Sequence, residues 1–435
     1  MDESGVRALL VRELAGEPAP RVDIALAREM GRRRLRLRRV GMSAGPLGAA
    51  AVAVLVFTGA LPVSLGFTGH GGAGPAASLT STLYVGNGPG AYAQGGAVTR
   101  ISGGSHPSRE TVSVPGGVIA LAATPDARTV YALSDPGRGR GSVTPIDTAT
   151  GRALPAIMVG HQPSAIAITP NGQTAYVSNT ADNTITPISV ATNTAHRPIT
   201  VGQQPTAIAV TPNGHTVYVL NAGTDTVTPI STRNDRPGKA IPAGQCPLYE
   251  ELTPEATALY IYSCHDYLTI IPLAGDSPRR SLHVQTTGGH GASLAADPGG
   301  VCVATVAFLP GSVNAYLSTC GGTLLPFNTV TGRFGAAIAG VTSHCPSIAV
   351  TPDGTTAYVA SGPDTITPIT TATNHARRPI RVGKDPSAFA FSADGKTLYV
   401  VNHGSGDVTP VSVASGTAGR ALAAGGRPWA VAATP

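Results

Sequence analysis

Residues 161–202 and 203–244 are near copies of one another. HQPSAIAITPNGQTAYVSNTADNTITPISVATNTAHRPITVG is followed at once by QQPTAIAVTPNGHTVYVLNAGTDTVTPISTRNDRPGKAIPAG. A period near 40 residues confines a chain to repeat architectures, in which each unit buries its apolar face only against its neighbours. Each period divides into four short runs. Residues 164–168 alternate small and aliphatic side chains, and Thr169-Pro170-Asn171-Gly172 reads as a turn. Proline presets φ there, and Asn or Gly supplies φ > 0. Residues 174–178, 184–190 and 198–201 are the other β-rich runs. Four antiparallel strands per period make one blade of an all-β propeller.

The opening residue of each first strand gives a blade count. The anchors are Gly117, Pro163, Pro205, Pro247, Val303, Pro346, Pro386 and Pro428, spaced 40 to 46 residues apart except for 56 between Pro247 and Val303. The excess lies at residues 285–300, QTTGGHGASLAADPGG, a long connection. Eight anchors imply eight blades, here numbered from the one anchored at Gly117. Seven blades would require residues 245–343 to form one blade plus a loop. The last anchor opens RPWAVAATP at residues 427–435, a first strand with no second. The missing strands stand at the other end, in residues 81–87, 98–101 and 110–114. The two ends are therefore expected to share a blade and close the ring, which removes exposed strand edges.

TPNGxTxYVxN recurs at residues 169–179 and 211–221, with weaker copies at 351–361 and 392–402. This motif resembles the YVTN-type β-propeller repeat family, over about residues 81–435. The resemblance implies an extracytoplasmic or surface-exposed protein and supplies no catalytic residues. The third strand departs from the family pattern. It reads Thr-Pro-Ile at residues 186–188, 228–230 and 367–369. A proline inside a strand lacks a ladder donor, so a bulge or an unpaired position is expected there.

The first 80 residues read differently. Residues 1–40 form an Arg-rich tail with 10 Arg and 6 acidic residues, ending in RRRLRLRR at 32–39. Residues 41–67 follow as a transmembrane helix, because the apolar core at 47–67 is long enough to cross ~30 Å of hydrocarbon. Arginines on its N-terminal side place the tail in the cytoplasm and the rest outside. Two readings rival the anchor: a cleaved leader, with only a weak small-x-small site at 73–78, and a twin-arginine export signal, which Arg33-Arg34-Leu35-Arg36 fits loosely. Residues 68–80 serve as a flexible stalk, and 81–435 form the propeller. Beyond residue 40 the chain holds 20 basic and 18 acidic residues, a near-neutral balance that gives no support for nucleic-acid binding. A closed ring is expected to be monomeric, with the N-terminal helix in the membrane.

Five cysteines are present. Cys246 and Cys302 each precede a first-strand anchor by one residue, and Cys264 and Cys320 each lie four after a motif tyrosine. Both pairs therefore span 18 residues and face each other across the mouth of the strand 1–2 hairpin, at a separation suited to a disulfide. We expect Cys246–Cys264 and Cys302–Cys320, with Cys345 free. The rival joins Cys320 to Cys345. Disulfides agree with an oxidising location.

His161 and His344 precede first strands, and Asn179, Asn221 and Asn402 end second strands on the same face. With Arg427 they are the candidates for a polar funnel that binds a ligand or partner protein. For each Asn alone, the favoured role is to end its strand by bonding the next turn, so the functional candidate is the ring as a whole. No His-Glu-x-x-His, Gly-x-Ser-x-Gly or phosphate loop occurs, and the single Trp429 cannot supply repeated quinone-docking motifs. No catalytic residue, cofactor or metal is assigned. The leading expectation is an anchored extracytoplasmic propeller that binds through its funnel face. The alternative is an exported enzyme, either a lactonase-like hydrolase or a quinone- or metal-dependent oxidoreductase.

Overall fold

The computed structural model describes residues 82–87, 96–102, 108–137, 139–263, 267–273, 280–283, 303–319, 322–341 and 347–434. Every regular element among them is a β-strand. The expected tail, membrane helix and stalk at 1–80 lie outside the described residues. No helix among the described residues is long and apolar enough to cross a membrane.

The strands form eight separate antiparallel sheets, so the count of eight holds and residues 245–343 make two blades. Blade two runs outward from Pro163–Ile168 through Thr174–Asn179 and Thr184–Ser189 to a short outer edge. Blade four begins with Pro247–Leu252 and blade five with Val303–Phe308. Blade eight closes the ring as expected: Thr82–Asn87, Gly96–Ile101 and Arg109–Val114 from one end pair with Pro428–Thr434 from the other. Thr82 lies directly opposite Thr434.

Blades are held together by apolar side chains on both sheet faces, because each sheet packs between two neighbours. Ile166, Ile168 and Val177 of blade two meet Tyr131, Leu133 and Val159 of blade one. The turn between strands one and two is built as the motif suggested. The Thr169 hydroxyl donates to Asn171 Oδ1 at 2.7 Å and accepts from the Thr174 amide at 3.1 Å, while Gly172 adopts φ 69°.

The third-strand proline has an asymmetric effect. Pro187 pairs with Tyr176 in an unbroken ladder, so the inner side of the strand carries no bulge. The break falls on the outer side, where Thr194–Ala195 and Ile199–Thr200 pair separately with the third strand. Proline has no N–H to give that neighbour, while its carbonyl still accepts the His196 amide at 2.8 Å.

Three motif tyrosines are fully buried and latch one blade to the next. Tyr176 donates to Asp235 Oδ1 at 2.7 Å, Tyr131 to Asn193 Oδ1 at 2.6 Å and Tyr316 to Asn374 Oδ1 at 2.6 Å. Each acceptor sits in the strand 3–4 turn of the following blade at φ 52–55°. In blade six the Tyr358 hydroxyl has no hydrogen-bond partner. Tyr176→Phe is therefore expected to cost about 1 kcal/mol, and Tyr358→Phe close to nothing. Urea unfolding of the two variants tests this; equal losses would show that the latch contributes nothing.

Candidate functional site

Strand two of each blade ends where strand one of the next begins, so the loops after strand two and the inter-blade connectors share one face. The asparagines expected on that face lie beneath it. Asn179, Asn221 and Asn402 have no exposed surface. Asn179 Oδ1 accepts the Gly160 amide at 2.9 Å, and its Nδ2 donates to Thr184 Oγ1 and Thr186 Oγ1 at 3.1 and 2.9 Å. The Nδ2 half of this recurs in Asn221, with Thr226 and Thr228, and in Asn402, with Asp407 and Thr409, while the Oδ1 atoms of both have no hydrogen-bond partner. These asparagines tie the end of strand two to the start of strand three, Asn179 also holds the connector before its blade, and the structure does not bring them together as a polar opening.

His161 is exposed on the face and paired. Asp182 accepts its amide at 2.8 Å and its Nδ1 at 2.9 Å. The Nδ1 contact orients the imidazole, and Nε2 makes no hydrogen bond among the described residues. Arg140, its neighbour in register, donates Nε to the Val159 carbonyl at 2.7 Å. Arg427 is exposed beside Trp429, which His403 meets edge-on at 5.4 Å. His344 lies outside the described residues.

Of the five cysteines only Cys246 is described, and it is disulfide-bonded. It sits at φ 52°, like Gln162, Gln204 and Asp385 before the other anchors. In those blades the residue matching Cys264 donates its amide to that position: Thr180 to Gln162, Ala222 to Gln204 and His403 to Asp385, at 2.9–3.0 Å. These are directly opposed backbones, the placement that a Cys246–Cys264 bridge needs. Peptide mapping without reductant is expected to recover Cys246 joined to Cys264; Cys246 joined to any other cysteine would overturn the pairing.

The inner strands contain a signal that the motif search passed over. Across the eight, charged side chains occur only at Glu250 and Glu251 of blade four, where the neighbouring blade has Ile208 and Ala209. Successive residues of a strand face opposite ways, so the two carboxyls enter different seams. Glu250 is 9% exposed between blades three and four, and neither carboxyl oxygen has a hydrogen-bond partner. Burial pushes it well above the usual carboxylate range, partly offset by the nearby Leu220 and Ala209 amides. Glu251 faces blade five and retains open surface. Desolvation by the protein around it nevertheless pushes its carboxyl up to about 8. Tyr262 is 2% exposed, and its phenol is raised well above 10 by burial and by Glu251.

A family model described as "Lactonase, 7-bladed beta-propeller" matches residues 138–249, about a quarter of the chain. No curated protein matches. Among solved structures, dihydro-heme d1 dehydrogenase NirN in complex with DHE is similar at TM-score 0.64 and 16% identity, over 96% of this chain and 89% of that one. Apo AztD from Citrobacter koseri gives 0.58 and 12%, over 81% and 97%. Kuenenia stuttgartiensis hydrazine synthase gives 0.53 and 19%, over 68% and 96%. At these identities the likeness is one of fold: the chain is a β-propeller, with one blade more than the matched family model describes.

Proposed function

We propose that this chain is an extracytoplasmic propeller, held at the membrane by its N-terminal segment, that binds a ligand or partner at its central channel. The observation that carries the reading is the charge pattern of the inner strands. Among the inner strands only blade four carries carboxyls, Glu250 closed off toward blade three and Glu251 open toward blade five. A carboxyl whose surroundings disfavour its charge costs stability when ionised and marks a candidate binding site. A thermal-shift screen of metabolites on the full chain tests this. A ligand that raises Tm in the wild type and not in Glu251→Gln is expected; hits untouched by that substitution would sink the channel reading. For the anchor, protease added to intact cells is expected to degrade the propeller and spare residues 1–40, and the reverse pattern would refute it.

The His161–Asp182 pair favours a second reading, a lactonase-like hydrolase. An imidazole held through Nδ1 by a carboxylate, with Nε2 free, can take a proton from water. The lactonase model covers both residues. Hydrolysis of a lactone panel that disappears in His161→Ala would favour this reading over simple binding.

A further inference from the structure

The seam between blades four and five is unlike the others. Around the ring the inner strands of neighbouring blades adjoin, but among the described residues Pro247–Leu252 and Val303–Phe308 approach one another least. Four side chains of blade four face this seam, with Tyr260 and Tyr262 buried against blade five and Tyr249 and Glu251 nearer the surface. Tyr249 and Glu251 are two apart on the inner strand, and their register partners are Tyr262 and Tyr260. Directly opposed residues share a sheet face, so all four lie together. From blade five Phe308 meets Tyr260 edge-on at 5.1 Å. The whole chain has 12 Tyr, 7 Phe and one Trp, so three tyrosines and a phenylalanine around one carboxyl are a concentration and not background. The buried Tyr262 hydroxyl has no hydrogen-bond partner, and after burial the Glu251 charge is the largest influence on it.

Building on the channel reading, we propose that this seam binds an organic ammonium ion, its charge on Glu251 and its carbon substituents against Tyr249, Tyr262 and Phe308. Aromatic faces attract a cation while accepting its alkyl groups, and the carboxylate neutralises it. A bare divalent metal ion fits poorly, since it needs several oxygen or nitrogen ligands. Among the described residues no third His, Cys, Asp or Glu joins Glu251. A neutral ligand would leave the carboxyl protonated and would gain nothing from its charge.

Binding should release a proton. With its carboxyl pushed up to about 8, Glu251 is largely protonated at neutral pH until a cation arrives. Among the described residues, the groups on this side are Tyr249, Tyr260 and Tyr262 from its own blade and Val306 and Phe308 from blade five. Glu250 lies on the other side of the same strand, and none of these groups supplies a positive charge. Affinity therefore rises with pH until Glu251 is ionised.

Choline and its neutral isostere 3,3-dimethyl-1-butanol separate the possibilities in calorimetric titrations of the full-length protein. Choline is expected to bind saturably and more tightly at pH 8.5 than at pH 6.5, with heats that depend on buffer ionisation. Glu251→Gln should weaken it about 10-fold or more and remove the pH dependence, and Tyr262→Phe should leave that pH dependence in place. A cooperative melting transition in each unliganded protein establishes that the variants fold. Equal binding of the isostere, or of choline to Glu251→Gln, would overturn the assignment. If the metabolite screen yields a neutral ligand that Glu251→Gln abolishes and choline does not bind, the ammonium class falls while the channel reading stands.

Discussion

A chain ending at Gly426 is expected to lose roughly 5 kcal/mol or more of stability, comparable to the whole stability of an ordinary domain. The deletion removes Pro428–Thr434, the inner strand of blade eight. That strand supplies a six-residue register with Thr82–Asn87. It also supplies Val431 and Ala433 to the core shared with blade seven, and Ala430 and Ala432 to the core shared with blade one. Two seams and one ladder are lost together, and each apolar area removed from water counts at about 25 cal/mol per Å². No other strand can cover the exposed edge of Thr82–Asn87. Melting followed by far-UV circular dichroism is the measurement. A truncated chain that melts with the full-length protein would refute the shared blade. Trp429→Ala, which keeps the strand, serves as the milder comparison.

The second large effect concerns pH. Glu250 and Glu251 both have folded-state pKa values raised above those of the unfolded chain, so the fold favours the neutral carboxyl. Their contribution is present in full below about pH 4.5 and is lost as pH rises, for Glu251 through about 8. Wild-type Tm is therefore expected to fall between pH 5 and pH 9 more steeply than that of Glu250→Gln or Glu251→Gln. At pH 9 both variants should be the more stable proteins. For Glu251, channel water screens the ionised form, leaving a gain on the order of 1 kcal/mol. Glu250→Gln should gain more, because its carboxyl is closed off in the seam between blades three and four. Parallel Tm–pH curves for wild type and both variants would show that these carboxyls do not control the slope.

The repeat made the scaffold legible because periodicity and turn chemistry are local. TPNG at residues 169–172 names its own turn, and the eight anchors name their own strands. Even the join of the two chain ends followed from one surplus strand and three missing partners. Direction was harder. An Asn at the end of a strand has the same letter whether it faces solvent or the core, and Asn179 turned inward because Thr184 and Thr186 were placed to receive it. The latch from Tyr176 to Asp235 joins residues 59 apart, a contact visible only once neighbouring repeats are stacked. The Glu250–Glu251 pair was open to view: aligning PLYEEL with PTAIAV puts two carboxyls where Ile and Ala stand. Searches for enzyme motifs look for sets of residues, and this signal is a single departure from a neutral pattern.

The pairing of Thr82 with Thr434 fixes how the ring responds to mechanical load. The chain enters blade eight and leaves it at the same end of one antiparallel pair. Tension between residues preceding Thr82 and the C-terminal end acts across that pair like a zipper, opening one rung at a time, and not as shear along all six. The other seven blades are each continuous in sequence, so none carries this weakness. A pull on those two points would open the ring at its closing blade at low force. A pull applied through any other blade would have to break its ladders collectively.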